Sequence, residues 1–353
     1  MQPVKKILVA PLNWGLGHAT RCIPIIEALS EHGYEPVIAS DGAALELLKK
    51  EFPSFQVLEL PSYKIEYSAK SWLFKLKIVW QTPRALKAIF NENKIINSWI
   101  DEFNISGIIS DNRLGVYSKK VPCAFITHQL NVLSGNTSWI TTMLHHLFIR
   151  KHNVCWIPDV EGTPNLSGKL GHLEKTSLNI KYIGPLSRLH KKLLPKKYDL
   201  MVILSGPEPQ RTLLEQRLIK ELTAFNGKVI FIKGIIENLQ KVTEKGNITF
   251  YNFMNTKELE TTFNESEIIL CRSGFTTIMD LAQLNKKAFF IPTPGQYEQE
   301  YLAQKLKKSG LVPYARQDEF KLDDLLKIDL YKGLKTIRTE TAWNDLFRLF
   351  ESK

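Results

Sequence analysis

The sequence has few cysteines and no long apolar run. The four cysteines lie far apart in the chain, at Cys22, Cys123, Cys155 and Cys271. With no CxxC pair and no neighbouring histidine cluster, this spacing favours neither a zinc site nor a disulfide framework, so we expect a reducing, cytoplasmic setting. No apolar stretch approaches the roughly 18 residues of a membrane span, and the strand ILVAPL follows residue 6 directly. We therefore expect neither a secreted nor an integral membrane protein.

Candidate metal ligands and cofactor motifs are also scarce. His145, His146 and His152 are spaced as HHxxxxxH, but no carboxylate accompanies them. Since no carboxylate pair stands out elsewhere, the sequence predicts no metal and no cofactor. The GxGxxG dinucleotide fingerprint is absent too, because the first glycine-rich turn reads NWGLGH at 13–18.

The size and charge of the chain restrict the number of domains and the kinds of partner to be expected. Its 353 residues with 44% apolar content allow two domains, each with its own core. The net charge of +11 favours an acidic partner, which could be nucleic acid, an anionic lipid surface or a phosphorylated small molecule. Nucleic acid is disfavoured, because acidic residues are spread among the basic ones and no nucleic-acid-binding motif occurs.

Short apolar strands alternate with helices in both halves of the chain. The first half opens with a strand at 5–11, and the second half restarts the pattern with DLMVILS at 199–205. The charged run 188–197 between them is typical of an interdomain linker. We therefore predict doubly wound α/β domains over 1–187 and 188–335, followed by a last helix over 335–350.

The first strand-to-helix turn contains a candidate catalytic residue. Gly17 allows close backbone approach, and His18 at the helix start could orient or deprotonate a hydroxyl group. Asp111 and His128 each follow a later strand. The ends of parallel strands meet at one sheet edge, so His18, Asp111 and His128 could line a common cleft. The alternative is that all three are capping or hydrogen-bonded loop residues.

The stretch 268–303 contains a candidate anion site. It reads as strands IILC and AFFIP, each followed by a turn and a helix. In the first turn a glycine and hydroxyl side chains stand where a helix begins, so backbone N–H groups there could bind phosphate. Asp280, one turn further on, suits ribose hydroxyls. The alternative is ordinary helix capping. The turn at Ser205 and Gly206 offers a second phosphate position, with Arg211 to neutralise charge.

Segment 62–100 interleaves basic and aromatic residues, for example Trp72 beside Lys75. Rings and ammonium groups in this mixture suit the surface of an anionic membrane. The alternative, a buried helix face beneath solvated lysines, explains the same pattern.

Several of these motifs together resemble the GT-B glycosyltransferases of family 28. The turn NWGLGH is similar to the family's GGTGGH loop, and THQLNVLSG at 127–135 is similar to its THEQNGIAG segment. The most specific match is RSGFTTIMDL at 272–281, which resembles the donor loop RAGALTVSEL. The resemblance implies two facing Rossmann-like domains with a cleft between them, and a C-terminal helix, 336–353, that returns to the first domain.

The resemblance also implies roles for individual residues. The donor loop would hold the uracil and phosphates, and Asp280 would take the ribose hydroxyls. Gln299 and Glu300 would contact the donor sugar, although the family has two glutamines there. In the family the THEQNGIAG segment is the acceptor segment, here 127–135, and Gln129 replaces its glutamate. This leaves His18 or Asp111 as the base. The residues implied to bind the donor are Gly17, Ser205, Gly206, Arg211, Arg272, Ser273, Gly274, Phe275, Thr276, Thr277, Asp280, Gln299 and Glu300.

The expected function is therefore transfer of a sugar, N-acetylglucosamine or another hexose, from a UDP-sugar to a hydroxyl acceptor. The acceptor would be lipid-linked or a cell-envelope glycan, and the enzyme cytoplasmic or peripheral on the inner membrane face. The alternatives are a sugar-nucleotide epimerase or hydrolase on the same fold, and a non-catalytic nucleotide-sugar-binding protein. The sequence does not specify the sugar, the acceptor, the stereochemical outcome or the oligomeric state.

Overall fold

The structure is a computed structural model that describes residues 3–63, 71–235, 237, 239–334 and 341–351, without the side chains of 71–85 and 136. The chain divides into two compact units. The first unit combines 1–186 with 339–353, and the second spans 187–338. The functional division into acceptor-side and donor-side halves remains a prediction.

A parallel sheet forms the centre of the first unit. Among the described residues its strands lie in the order β3-β2-β1-β4-β5-β6-β7, and every neighbouring pair is parallel. The strands are β1 (Lys6–Pro11), β2 (Glu35–Ser40), β3 (Gln56–Glu59), β4 (Ile105–Asp111), β5 (Cys123–Ile126), β6 (Val154–Ile157) and β7 (Ile180–Tyr182). The central strands are almost continuously apolar because helices cover both faces of a parallel sheet.

Four helices connect these strands within the described part of the first unit. They are α1 (Gly17–Glu31), α2 (Gly42–Glu51), α3 (Ser71–Glu102) and α4 (Ser138–Ile149). The buried face of α1 includes Ile23, Ile26 and Leu29, which recur at helical spacing. Packing against the sheet therefore fixes the start of α1, and with it the turn that joins β1 to α1.

The C-terminal segment packs on the first unit. Its helix α9 (Trp343–Phe347) continues as one 3₁₀ turn through Phe350. Phe350 is 1% exposed and lies against Gly107, where an added Cβ would stand 2.4 Å from its ring. The last helix is shorter than predicted: Thr341 hydrogen-bonds the carbonyl of Ile183 at 2.8 Å, and the ψ of 75° at Ala342 is not helical. Residues 335–340 of the predicted helix lie outside the described residues.

The second unit contains its own sheet. Its described strands have the order β10-β11-β9-β8-β12-β13. They are β8 (Tyr198–Ile203), β9 (Val229–Ile232), β10 (Val242–Lys245), β11 (Ile248–Tyr251), β12 (Ser266–Cys271) and β13 (Lys287–Phe290). All neighbouring pairs are parallel except the hairpin β10–β11, which is antiparallel. The sequence pattern does not reveal β10, because all four of its residues are exposed and it has no buried side to produce an apolar alternation.

The helices of the second unit follow its strands. In the described residues they are α5 (Gln210–Leu222), α6 (Thr256–Glu265), α7 (Phe275–Leu284) and α8 (Tyr297–Lys308). Asn255 and Glu258 form a capping box at the start of α6. The alternating α/β architecture predicted for both halves is confirmed. No described helix combines the length and apolarity needed to cross a bilayer.

Candidate functional site

The strand order places one candidate site at the C-terminal edge of the first sheet. The chain moves from β1 to β2 and β3 on one side, then returns to β4 on the other. Ligands of open α/β sheets bind where the order reverses in this way, at the carboxyl ends of the two central strands. His18 follows β1, and Asp111 is the last residue of β4. The topology therefore brings together two residues separated by 93 positions.

His18, Arg21 and Asp111 form a hydrogen-bonded group at this edge. Nδ1 of His18 lies 3.0 Å from Oδ1 of Asp111 and 2.8 Å from a terminal nitrogen of Arg21. Nε of Arg21 donates to Oδ2 of Asp111 at 2.6 Å, and its second fork nitrogen donates to Oδ1. Asp111 is fully buried, whereas the His18 side chain is 13% exposed. The histidine is therefore the member of the group that a substrate can reach.

Electrostatics set the protonation of this group. Burial alone raises the pKa of Asp111, but the charges and hydrogen bonds of Arg21 and His18 outweigh it and hold that pKa below its ordinary range. Burial lowers the pKa of His18, Asp111 opposes this shift, and Arg21 adds to it. Asp111 is thus an anion and His18 a neutral imidazole near pH 7, which is the state that a general base requires.

His128 joins the same group through Arg21, whose remaining terminal nitrogen lies 3.1 Å from Nδ1 of His128. The structure therefore brings together the three residues predicted to be catalytic.

The histidines predicted not to bind metal have separate partners. Nε2 of His145 contacts Asn112, Nε2 of His146 contacts the carbonyl of Leu130, and Nε2 of His152 contacts the carbonyl of Val116. Among the described residues no group of three potential metal ligands occurs.

A second buried network braces the same sheet edge. Arg113, which is 0% exposed, donates to Glu92 of α3 and to Asp41 of the β2–α2 loop, both at 2.6 Å. Asp41 also accepts from Asn13 of the first turn at 3.2 Å. Because these residues connect the loops after β1, β2 and β4, the network holds the first turn in place. It lies outside the group around His18 and is structural.

The second sheet has an equivalent reversal, between β8 and β12. Ser205 and Gly206 follow β8 and are exposed, and Gly206 has a φ of +104°, which favours glycine. Gly274 is the N-cap residue of α7 and so leaves the first turn of that helix without a side-chain cap. No acidic residue occupies that turn either. These two backbone turns suit a phosphate group, because a helix start favours anions.

Thr293 contributes a hydroxyl that sequence reasoning missed. Its side chain is 2% exposed, and Oγ1 has no hydrogen-bond partner among the residues that the structure describes. This oxygen lies 3.6 Å from the point where a Cβ on Gly206 would stand. A buried hydroxyl without a partner is unfavourable unless a ligand or water satisfies it. Thr293 thus adds a polar group beside the turn after β8.

Asp280 lies on α7 behind this turn and is partly exposed. Ser187 donates to its Oδ1 at 2.6 Å. Burial raises the pKa of Asp280 to about 6, while the bond from Ser187 and the charge of Arg188 oppose the rise. The carboxylate therefore retains a second oxygen for a hydroxyl donor. Ser187 was missed because nothing in the sequence connects it to α7, 93 residues away.

Two arginines of the predicted donor site have partners within the second unit. Arg272 is 1% exposed and donates to the carbonyl oxygens of Ile291, Pro292 and Gln210. Arg211 is paired with Glu208 and Glu215. Both guanidinium groups are thus used to join loops and helix turns within the second unit. The predicted contacts of Arg272 and Arg211 with phosphate stay a prediction.

Loop 272–277 and the pair at 299–300 are connected within the second unit. The hydroxyl of Ser273 donates to the carbonyl of Gln299 at 2.8 Å. The side-chain oxygens of Gln299 and Glu300 accept from the backbone N–H groups of Thr293 and Gly295, each at 2.9 Å. These contacts shape the turn before α8, so the predicted sugar contacts of this pair remain a prediction. In this loop Phe275 is buried, whereas Thr276 and Thr277 are partly exposed.

The membrane hypothesis for 62–100 depends largely on residues 64–70 and on the side chains of 71–85, which lie outside the described residues. A different apolar surface is exposed on α4. It comprises the side chains of Trp139, Ile140, Met143, Leu144 and Leu147, which are 38–68% exposed. Beside it a groove of ≈ 610 Å³ is lined by Asn131 and Leu133 of segment 127–135, by residues of α4 and by Arg150 and Lys169.

Comparisons with known proteins agree with this geometry. Residues 207–342 match the glycosyltransferase family 28 C-terminal domain. The chain is 22% identical over 334 residues to the UDP-N-acetylglucosamine–N-acetylmuramyl-(pentapeptide) pyrophosphoryl-undecaprenol N-acetylglucosamine transferase of Haemophilus ducreyi, covering 92% of this chain and 88% of that protein. It is 21% identical over 304 residues to an uncharacterized glycosyltransferase of Methanopyrus kandleri, covering 79% and 83%.

The protein is a glycosyltransferase. Its predicted resemblance to family 28 is confirmed, and so is the enzyme class. MurG of Acinetobacter baumannii superposes on the glycosyltransferase with a TM-score of 0.59 and 12% identity, covering 99% of both chains. SnogD of Streptomyces nogalater gives a TM-score of 0.61 with 12% identity, covering 99% of this chain and 96% of that one. The predicted GT-B fold of the glycosyltransferase is thereby confirmed.

Proposed function

We propose that the glycosyltransferase moves a sugar, N-acetylglucosamine or another hexose, from a UDP-sugar to a hydroxyl group of a lipid-linked or cell-envelope acceptor. The observation that carries this proposal is the pairing of His18 with Asp111 at the reversal point of the first sheet. The second unit supports it with phosphate-suited turns and the family 28 domain. The name of the Haemophilus ducreyi relative supplies the donor and acceptor classes.

In this reaction His18 takes the proton of the acceptor hydroxyl. With its hydrogen on Nδ1 donated to Asp111, the imidazole presents the lone pair of Nε2 to the acceptor. The acceptor oxygen bonds to the anomeric carbon as the bond from that carbon to the diphosphate oxygen breaks. The negative charge then develops on the leaving diphosphate, and the proton remains on His18.

The second unit stabilises the leaving nucleoside diphosphate. The start of α7 at Gly274 and the turn at Gly206 present backbone to the phosphates, and the hydroxyl of Thr293 adds a donor beside them. Asp280 accepts from the ribose hydroxyls with the oxygen that Ser187 leaves available.

A nucleotide panel tests the donor assignment. UDP, GDP and TDP are titrated against the full chain by calorimetry, with wild type, Asp280→Ala and the exposed control Asp318→Ala, whose side chain is 72% exposed. We expect UDP to bind wild type and the control, with weaker binding to Asp280→Ala. Failure of all three nucleotides to bind wild type would contradict the proposed function. If UDP binds equally well to wild type, Asp280→Ala and Asp318→Ala, only the role of Asp280 is contradicted.

We also propose peripheral contact with an anionic membrane through α4. The exposed residues of α4 recur at i, i+1, i+4, i+5 and i+8, so they form one apolar stripe along the helix. Arg150, Lys151 and Lys169 lie beside the stripe and its groove, where they would meet lipid headgroups. The acceptor segment that contains His128 also lines the groove at Asn131. This continuity suits an acceptor whose lipid is held near the reacting hydroxyl.

Vesicle flotation tests this contact. Wild type should float with vesicles containing anionic phosphatidylglycerol and less with neutral phosphatidylcholine. Met143→Glu combined with Leu147→Glu should abolish flotation. Leu213→Glu on α5 is the matched control, because Leu213 is equally exposed at 47%. If wild type stays unbound, or if the double variant floats as well as the control, α4 is not the membrane surface.

A further inference from the structure

Arg21 is the residue through which the catalytic group of the first unit is connected. It lies one turn after His18 on α1 and is 2% exposed. Its guanidinium contacts Asp111 at the end of β4, His128 after β5 and His18 on its own helix. A single buried cation thus touches all three side chains to which the reaction has been assigned.

The guanidinium of Arg21 restricts which ring nitrogen of His18 and His128 can carry the hydrogen. Arginine only donates, so Nδ1 of His128 accepts from Arg21 and the ring hydrogen of His128 lies on Nε2. Nδ1 of His18 lies between a donor nitrogen of Arg21 at 2.8 Å and an acceptor oxygen of Asp111 at 3.0 Å. It can donate to Asp111 or accept from Arg21, but not both. The first choice leaves Nε2 free to act as a base, and the second places the hydrogen on Nε2.

We propose that Arg21 is a positioning residue that anchors Asp111, selects the Nε2–H form of His128, and competes with Asp111 for Nδ1 of His18. This inference rests on the proposed function for its catalytic meaning. The competition keeps His18 from being held as an imidazolium after it has taken the acceptor proton, because the charge of Arg21 opposes that state. His128, with its Nε2–H directed away from Arg21, then serves as a hydrogen-bond donor rather than a second base.

The other titratable groups near His18 do not reproduce this effect. Sγ of Cys22 lies 3.6 Å from Asp111, and burial keeps the pKa of this thiol well above its ordinary value, so it stays neutral. His145 on α4 faces His128, and burial lowers the pKa of His145 to about 4. Asp111 and Arg21 therefore exert the strongest opposite charge effects on the pKa of His18, and His128 adds a smaller lowering effect.

Substitutions of the two charges should move the protonation of His18 in opposite directions. In Arg21→Gln, Asp111 alone contacts Nδ1, so the Nδ1–H form and the titration midpoint of His18 should both rise. In Asp111→Asn the midpoint should fall. Arg21→Lys keeps the charge but loses the fork, so the midpoint should stay close to wild type while kcat falls on the order of 10²-fold through misplacement.

Histidine NMR on the ¹⁵N-labelled full chain reads these states directly, with the His18 signal identified by its loss in His18→Gln. Arg316→Gln, which removes a 70% exposed cation, is the matched control. If the His18 midpoint is unchanged in Arg21→Gln, or moves the same way in Arg21→Gln and Asp111→Asn, the proposal is wrong. Should Arg21→Gln fail to give a folded spectrum, Arg21→Lys decides: a wild-type midpoint with a wild-type kcat would overturn the positioning role.

The same variants in a sugar-transfer assay separate this inference from the function on which it rests. The acid limb of the kcat/KM profile should follow the NMR midpoint, rising in Arg21→Gln and falling in Asp111→Asn. If wild type transfers no sugar, the proposed function fails, while the NMR result still stands or falls by itself. If wild type is active and the acid limb of the kcat/KM profile is the same in wild type, Arg21→Gln and Asp111→Asn, His18 is not the base that Arg21 positions.

Discussion

Asp280→Asn should make the second unit more stable while weakening nucleotide binding. Asp280 has a pKa of about 6 instead of 3.8, chiefly because of burial. A carboxyl group whose folded pKa lies above its unfolded pKa destabilises the fold wherever it is ionised. The penalty is absent below pH 3.8, grows between pH 3.8 and 6, and is complete above pH 6. From the size of the shift it amounts to about 3 kcal/mol at most.

Asparagine removes this penalty and keeps an oxygen that can accept from Ser187. At pH 8 the variant should unfold at a higher temperature, by about 2–4 °C for each kcal/mol gained. The gain should shrink by about half as the pH falls to 5, since wild-type Asp280 then becomes neutral. UDP affinity should fall about tenfold, because a hydrogen bond to a charged acceptor is replaced by a neutral one.

Thermal unfolding between pH 5 and 8 measures the first effect, and calorimetric titration with UDP at pH 8 measures the second. Asp318→Asn is the control for removal of an exposed carboxylate and should change neither. Two results would refute the assigned burial penalty: an Asp280→Asn variant no more stable than wild type at pH 8, or a gain in stability that is the same at pH 5 and pH 8.

Three further substitutions test other parts of the structure. Gly107→Ala should destabilise the first unit by about 1–3 kcal/mol in denaturant unfolding, because the new methyl would stand 2.4 Å from the ring of Phe350. Glu92→Ala should reduce the stability of that unit by about 1–3 kcal/mol, because Nε of Arg113 and the N–H of Gly115 lose their buried acceptor although Asp41 still pairs with Arg113. Gly206→Ala should abolish UDP binding in calorimetry with a stability loss of only about 1–3 kcal/mol, because its φ of +104° is strained for alanine and its methyl would enter the proposed phosphate position.

Each of these substitutions has a matched control. Gly162→Ala places its methyl in open space and should leave stability unchanged. Glu46→Ala removes a 62% exposed carboxylate and should have an effect below about 1 kcal/mol. Gly246 also has a positive φ, of 61°, but it lies in the β10–β11 turn. Gly246→Ala should therefore lower the stability without weakening UDP binding. A control that behaves like its partner would contradict the corresponding explanation.

The sheets of this protein could be predicted because their strands are apolar runs separated by turn residues. β1, β2 and β12 lie almost where those runs are in the sequence, and a parallel sheet covered on both faces produces such runs. β10 could not be found in this way, because Val242–Lys245 is exposed throughout. The last helix was predicted to include Thr341 and Ala342, but the backbone at Ala342 is not helical, so the helix begins only at Trp343, the first residue of the predicted apolar stripe.

The grouping of His18, Asp111 and His128 could be predicted because strand ends of a parallel sheet share one edge. Arg21 carried a signal that was not used, namely its position three residues after His18 on the same helix face. The roles of Arg272 and Arg211 could not be judged from sequence. Whether an arginine faces a ligand or a set of backbone carbonyls depends on how the loops pack, and here burial decides for the carbonyls.

The most direct test of the proposed sugar transfer is the rate of UDP release from UDP-N-acetylglucosamine by the full chain, with and without a lipid-linked acceptor that carries a free sugar hydroxyl. We predict release that depends on the acceptor, yields a glycosylated acceptor in equal amount, and falls by about 10²-fold or more in His18→Gln. Release at the same rate without acceptor, or full activity in His18→Gln, would contradict the proposed reaction.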